Sequence, residues 1–151
     1  MSATSETAKR TSENPLPIIS EDERAIQKLV SGYYDTFVVD PILAATYYGE
    51  PTLVVLPNQV VSLITKKDVE AFLAKGRDDL KARGYLNTRM CASRIKRLNA
   101  TTVLYGTIAI RVRADGTELE RAGFTYLVHK GDTGWKIHEL IATDVESIID
   151  A

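Results

Sequence analysis

Apolar residues in the first half of the chain recur at every third or fourth position, the spacing of helices with one buried face. The first such pattern begins at Ser20, because Ser20 and Glu23 have the spacing of a capping box. It ends at Asp40 and Pro41, a favoured N-cap followed by a favoured first helical residue. The pattern predicts, in order, a long helix, a short helix, two extended segments and a third helix, at residues 20–38, 41–48, 52–57, 60–64 and 65–83.

After Gly84 the pattern changes to long β-rich runs separated by turn residues. The turn sequences lie at residues 99–100, 115–116 and 132–134. They predict an antiparallel meander of four strands, at about residues 87–98, 101–113, 118–130 and 135–143. Helices first and a long antiparallel sheet afterwards indicate an α+β fold with the helices packed on one face.

The turns also predict which strand residues face each other. Two-residue loops at 99–100 and 115–116 and a three-residue loop at 132–134 fix the pairing. The expected pairs are Arg113 with Glu118, Arg111 with Glu120, Ala109 with Ala122, Thr107 with Phe124, Tyr105 with Tyr126, Arg94 with Tyr105, Met90 with Ala109, His138 with Val128, and Leu140 with Tyr126. A four-residue last loop would instead turn His138 to the other face.

This pairing assigns the side chains to two faces, neither of which is polar throughout. The face expected to meet the helices holds Met90, Arg94, Tyr105, Thr107, Phe124, Tyr126, His138, Leu140 and Asp144. The outer face holds Cys91, Ser93, Ile95, Leu104, Gly106, Ile108, Thr125, Leu127, Ile137 and Ile141. Because a twofold partner would remove these aliphatic side chains from water, we expect a homodimer through the outer face.

Composition and charge narrow the class of protein. The 151 residues suit one domain, which we place at 18–151 after a disordered tail at 1–17 rich in Ser, Thr and Glu. A net charge of −1 gives no basic field for nucleic acid, and no apolar run is long enough to span a membrane. The first residues contain no apolar signal segment, so a cytoplasmic location is expected. A single cysteine and two histidines without ligand spacing predict no disulfide, metal site or cofactor.

The helix order, the break at Asp40 and Pro41, the strand lengths and the opening of the last strand at 134–137 resemble the nuclear transport factor 2-like superfamily, in its SnoaL-like and ketosteroid-isomerase-like branch. The resemblance covers about residues 20–146. It implies a cone-shaped, curled antiparallel sheet, also called cystatin-like, that wraps around the N-terminal helices and encloses an apolar pocket. The family includes many homodimers and ranges from isomerases, cyclases and dehydratases to non-catalytic modules.

The resemblance also implies roles for single residues. The family's pocket tyrosine matches Tyr33, whose phenol could polarise a carbonyl oxygen. The general-base aspartate falls on Leu56, which cannot take a proton, and the protonated aspartate of the oxyanion hole falls on Tyr126. Ketosteroid isomerisation by the family mechanism is therefore not expected. His138 or Asp144 is the candidate substitute base.

The remaining pocket candidates follow from the face assignment. Five tyrosines converge on the helix-facing side: Tyr33, Tyr34, Tyr47, Tyr105 and Tyr126. They are either amphipathic core residues or phenols that line a pocket for a flat oxygenated or aromatic ligand. Arg94 is either a charge that protects an edge strand or an anchor for a ligand carboxylate. The expected ligand-pocket residues are Tyr34, Tyr47, Leu56, Met90, Arg94, Tyr105, Thr107, Phe124 and Leu140.

Two functions stay open on this evidence. The first is a small-molecule pocket protein, either a lyase or isomerase that uses Tyr33, Tyr126 and His138, or a binder without turnover. The second is a non-catalytic homodimeric interaction module whose pocket is only core. An open, polar-lined cavity behind Tyr33 and Tyr126 would favour the first function, and a filled core would exclude it.

Overall fold

The computed structural model describes residues 20–149, which form three α-helices and six β-strands. In chain order they are α1 (Ser20–Val39), α2 (Pro41–Ala44), a 3₁₀ turn (Ala45–Tyr47), β1 (Tyr48–Leu56), β2 (Gln59–Leu63), α3 (Lys66–Ala82), β3 (Tyr85–Asn99), β4 (Thr102–Arg113), β5 (Glu118–Gly131), β6 (Gly134–Thr143) and a second 3₁₀ turn (Val145–Ser147). The tail expected at 1–17 lies outside the described residues. Within them, no helix is long and apolar enough to cross a membrane.

The predicted starts of α2 and α3 are confirmed by their capping contacts. The short helix α2 ends at Ala44 instead of residue 48, because a 3₁₀ turn and then β1 follow it. Asp40 Oδ1 accepts hydrogen bonds from the backbone N–H groups of Ile42 and Leu43, each at 3.1 Å. At the start of α3, Thr65 Oγ1 accepts from the Asp68 N–H at 3.2 Å, and Asp68 Oδ2 accepts from the Thr65 N–H at 3.1 Å. These side chains satisfy N–H groups that the first turn of a helix leaves without backbone partners.

The six strands form one curled sheet in the order β2, β1, β6, β5, β4, β3. The meander from β3 to β6 is confirmed. The pairing of β1 with β6 is parallel, whereas the other neighbours are antiparallel. This parallel contact, which the turn analysis did not anticipate, places β1 beside the last strand and completes the α+β fold.

Much of the predicted pairing is confirmed in the middle of the sheet. The observed partners include Arg111 with Glu120, Ala109 with Ala122, Thr107 with Phe124, Tyr105 with Tyr126, Met90 with Ala109, and Leu140 with Tyr126. The face that meets the helices, called the inner face below, is therefore correctly identified over β4 and most of β5.

The predicted position of Arg94 is wrong because β3 contains irregularities. The loop lies at residues 100–101, and Asn99 pairs with Thr102. Two register shifts in the same direction, at 97–99 and 90–92, together offset the displaced loop. Met90 is therefore placed correctly, although the residues between the shifts are turned over. Arg94 therefore faces Gly106 on the outer face, and Ile95 faces Tyr105 on the inner face.

The tip between β4 and β5 also differs from the prediction. Its loop has three residues, 114–116, closed by a hydrogen bond from the Gly116 N–H to Arg113 O at 2.9 Å, with Gly116 at φ +87°. Glu118 consequently pairs with Val112 rather than Arg113. Its carboxylate instead forms an ion pair of 2.6 Å with Arg121.

The predicted position of His138 is wrong for a similar reason. Gly134, at φ +104°, pairs directly with Gly131, so the loop has two residues instead of three. Ile137 therefore lies opposite Val128 on the inner face. A β-bulge next to His138 changes the register by one residue. His138 therefore points outward, and Leu140 pairs with Tyr126 as predicted.

One end of the inner face is filled by side chains. Val103, Val128 and Ile137 form a row across β4, β5 and β6, and none of them is exposed. Ile26 and Val30, from the first eleven residues of α1, belong to the same buried cluster. We call these five residues the closed end.

The outer face has a partial cover that the sequence analysis did not foresee. A Cβ added at Gly123 would lie 2.9 Å from Asp144 O, and one added at Gly106 would lie 2.8 Å from Ile149 Cγ1. These two glycines leave room for residues 144–149 to cross the outer face. Ile95 and Ile137, expected on this face, point into the core instead.

Candidate functional site

About six residues along each strand from the closed end, side chains no longer fill the space above the inner face. There, a cavity of about 380 Å³ opens between the sheet and the helices α1 and α3. Its volume falls within the range of roughly 300–1,000 Å³ that is common for small-molecule sites. We call this region the cavity end.

Small side chains create this space. Ala109, Ala122 and Ala142 lie on β4, β5 and β6, the strands that carry Val103, Val128 and Ile137 at the closed end. An alanine fills less of the gap between sheet and helix than a valine or isoleucine does. Phe72, Leu73, Gly76 and Leu80 of α3 form the opposite wall.

Two tyrosine hydroxyls supply the polar contact inside the cavity end. Tyr34 on α1 and Tyr126 on β5 share a hydrogen bond of 2.6 Å between their hydroxyl oxygens. The Tyr33 ring packs against both, with ring centroids 5.3 Å from Tyr34 and 6.4 Å from Tyr126. All three side chains line the cavity.

Burial keeps these phenols neutral. It raises the pKa of Tyr33 to about 12, an effect that Tyr48 and the charge of Arg111 only partly oppose. Burial likewise raises the pKa of Tyr34 and that of Tyr126 well above the usual value. At neutral pH the three phenols are hydrogen-bond donors and cannot act as bases.

Arg111 brings a positive charge to the cavity end. Its Nη1 donates to Glu120, and its guanidinium carbon lies 5.5 Å from the centroid of the Phe124 ring. Arg83 also donates to Glu120, at 2.6 Å. Burial alone would raise the pKa of Glu120, but these two arginines outweigh it and lower that pKa. Glu120 is therefore ionised at neutral pH.

Six of the predicted site residues line this cavity: Tyr33, Tyr34, Leu56, Phe124, Tyr126 and Leu140. The other four candidates on the helix side of the sheet, Tyr47, Met90, Tyr105 and Thr107, are not in the lining. Tyr105 donates a hydrogen bond to Met90 Sδ at 3.5 Å, and Thr107 donates to the Ala92 carbonyl at 2.8 Å. Tyr47 shares a bond of 3.2 Å with Thr36. The tyrosine set is thus divided between cavity and core.

The structure does not bring the remaining three candidates to the cavity. Arg94 is on the outer face, where its Nη1 donates to the Ser93 carbonyl at 2.9 Å. The His138 ring also lies on the outer face, with Nδ1 2.8 Å from the Pro51 carbonyl and a second cavity of about 330 Å³ beside it. Asp144 is exposed after the end of β6. The predicted pocket positions of Arg94 and His138 are wrong, because the register shifts in β3 and β6 turn both residues outward.

Arg111 and the three alanines line the cavity but are not among the residues predicted to do so. The signal for them was present, since the correct pairing of Ala109 with Ala122 already showed two small residues side by side on the inner face. The strand pairing predicts Arg111 only as the partner of Glu120. The side chains of α3 carried an inward pattern but no indication of an unfilled space.

Comparison with known proteins gives the same architecture. The profile of a family described as "NTF2-like protein (DUF6841)" matches residues 21–145. No curated protein matches the sequence.

Solved structures resemble the chain at low identity. A cystatin-like domain of unknown function from Nostoc punctiforme has a TM-score of 0.66 and 22% identity over 83% of this chain and 78% of its own. An NTF2-like protein from Novosphingobium aromaticivorans has a TM-score of 0.69 and 13% identity over 84% of each chain. The yeast UBP3-associated protein BRE5 has a TM-score of 0.62 and 16% identity over 83% of this chain and 95% of its own. At such identities the likeness establishes the fold alone.

Proposed function

This chain belongs to the NTF2-like protein family DUF6841, and we propose that it binds a small, flat, largely apolar molecule at the cavity end of its sheet. The observation that carries the proposal is the cavity of about 380 Å³ lined by aromatic rings and by the hydrogen-bonded pair Tyr34 and Tyr126. Apolar walls with a few placed polar groups are the usual composition of a ligand site.

The lining suits an aromatic ligand that carries oxygen. Rings of Tyr33, Phe124 and Tyr126 approach one another at 6.0–6.4 Å between neighbouring centroids, which favours edge and offset contacts with a further ring. The hydrogen bond between Tyr34 and Tyr126 uses one of their two hydroxyl protons. The second proton is available to a ligand oxygen.

The lining favours binding over acid–base turnover. Of the residues that the structure describes, those lining this cavity include no carboxylate, imidazole or thiol. Leu56 lines it at the position where the isomerase resemblance expects a base. A general base needs to reach the substrate proton directly or through one water, and His138 and Asp144 lie outside the lining. Isomerase or dehydratase chemistry through these two residues therefore ranks below simple binding.

The test is a calorimetric titration at pH 7 with 2-naphthol, a flat two-ring probe with one hydroxyl. We expect saturable binding of one probe per chain. The saturated analogue decahydro-2-naphthol has the same connectivity without the flat rings, so we expect it to bind more weakly. The absence of saturable 2-naphthol binding would overturn the proposal, as would equal affinity for the two probes.

We also propose that the chain forms a homodimer through the outer sheet face. Leu104, Ile108, Leu127 and Ile141 are half-buried there, beside the segment 144–149. Two of the six aliphatic residues first expected on this face are in the core, so the proposed interface is smaller and includes Ile149. A twofold partner would bury the four remaining side chains in both copies.

Sedimentation at micromolar concentration tests the dimer. We expect twice the chain mass of 16.7 kDa for the native protein and a shift toward monomer for Ile108→Asp. Ile42→Asp, at an exposed apolar position on α2 and thus on the helix side of the sheet, is the matched control and should leave the dimer intact. A native protein that sediments as a monomer contradicts this second proposal.

A further inference from the structure

The charges at the cavity end do not balance. Glu120 accepts hydrogen bonds from both Arg83 and Arg111, so this group contains two positive charges and one negative charge. Of the described residues that line the cavity, Arg111 alone carries a charged side chain. The cavity end therefore has a net positive charge next to mostly apolar walls.

Arg111 has hydrogen-bonding capacity left for a ligand. Its ion pair with Glu120 engages Nη1, and a guanidinium offers five N–H donors in one plane. The side chain is 21% exposed, which means that it is held by its surroundings but not sealed off. Bidentate binding of a carboxylate is the contact that this planar group makes best.

Phe124 connects this charge to the phenols. Its ring centroid is 5.5 Å from the Arg111 guanidinium carbon and 6.0 Å from the centroid of Tyr126. A flat molecule lying along Phe124 would have the arginine near one end and the Tyr126 hydroxyl near the other. The walls between them are aromatic and aliphatic, so a charge placed there interacts more strongly than it would in water.

We propose that the cavity selects aromatic carboxylates, with Arg111 binding the carboxylate and the aromatic wall binding the rings. This inference rests on the proposed binding function and narrows its ligand class. The sequence analysis raised a carboxylate anchor at Arg94, and the structure places the suitable guanidinium at Arg111 instead.

Three probes of similar size and different charge test the inference: 2-naphthoate, neutral 2-naphthol and 2-naphthylmethylammonium. At pH 7 and low salt we expect 2-naphthoate to bind about tenfold more tightly than 2-naphthol, and the ammonium to bind most weakly. Added salt should weaken the binding of 2-naphthoate more than that of 2-naphthol. If 2-naphthol binds as tightly as 2-naphthoate, the carboxylate inference fails and the proposed function stands. If 2-naphthol shows no saturable binding, the proposed function itself fails.

Variants of the charged group separate recognition from structural support. Arg111→Gln should reduce 2-naphthoate affinity about tenfold and reduce 2-naphthol affinity much less. Glu120→Gln should raise 2-naphthoate affinity, because it removes the carboxylate that competes for Arg111. Arg113→Gln is the matched control, since Arg113 lies two residues further along β4 and donates to the Glu118 carbonyl at 2.8 Å outside the cavity. An Arg111→Gln variant that loses both probes equally would show a structural role and contradict the inference.

Discussion

The two ends of the inner face are built on the same three strands, but one end is filled by side chains and the other encloses a cavity. At the closed end, β4, β5 and β6 contribute Val103, Val128 and Ile137, which are completely buried. At the cavity end the same strands contribute Ala109, Ala122 and Ala142. The residues of both rows are apolar, so hydrophobicity does not distinguish the two rows. Side-chain volume does, because an interior packed to normal density leaves no space and a row of alanines under a helix does.

The largest expected contrast is in the cost of truncating a side chain. Ile137→Ala should lower the free energy of unfolding by about 2–5 kcal/mol, because it opens a cavity in a filled region. Leu140→Ala, at the edge of the existing cavity, should cost less because Leu140 already lacks packing partners on one side. Chemical denaturation at pH 7 measures both values. An equal or reversed order would contradict the difference in packing.

Enlarging a side chain should produce the reverse contrast. Val128→Leu adds volume to the closed end and should cost about 1–3 kcal/mol. Ala122→Leu adds volume to a space that exists, so its stability should change little while 2-naphthol affinity falls at least about tenfold, or 1.4 kcal/mol. Ala92→Leu, on the outer face of β3, is the control for an added leucine and should retain probe binding. Unchanged binding in Ala122→Leu would rule out this cavity as the site.

A smaller effect is expected for the phenol pair. Tyr34→Phe removes one partner of the hydrogen bond with Tyr126 and should cost about 1 kcal/mol, near the lower limit for a stranded polar group because the hydroxyl faces a cavity. The double variant with Tyr126→Phe should cost less than the sum of the two single variants. Additive losses in denaturation experiments would indicate that the two hydroxyls do not depend on each other.

The smallest effect is expected from pH in the neutral range. The pKa of Tyr33 rises from 10.0 to about 12 on folding, mainly through burial. Above pH 10 the unfolded chain loses phenol protons that the folded chain keeps, so the free energy of unfolding should fall as the pH rises toward 12. Between pH 6 and 9 the cavity tyrosines should contribute no pH dependence. Denaturation midpoints measured from pH 6 to pH 12 check both statements. A rise in stability above pH 10 would contradict the burial of the phenols.

The sequence contained most of the fold and about half of the candidate site. Capping residues such as Asp40 and Thr65 act locally, so they located the helix ends correctly. Strand pairing depends on each loop and irregularity between the residues compared. A one-residue difference in the loop before β6 was enough to misplace His138. A displaced loop and two register shifts in β3 misplaced Arg94 but left Met90 opposite its predicted partner.

The cavity was harder to predict, because no single residue in the sequence marks an unfilled space. Ala109 and Ala122 were correctly paired, but their small size becomes informative only when the helix above them is in place. Arg111 was correctly paired with Glu120 and still missed, since an exposed ion pair and an anion-binding group have the same sequence pattern.

The most direct test of the central claim is nuclear magnetic resonance of protein labelled on the alanine methyl groups, titrated with 2-naphthol. The ring current of a bound naphthol should shift the methyl signals of Ala109, Ala122 and Ala142, which line the cavity. The signals of Ala44 and Ala45, which are buried but outside the lining, should stay in place. Shifts confined to Ala44 and Ala45, or no shifts at a probe concentration that saturates calorimetric binding, would contradict the assignment of the cavity end as the binding site.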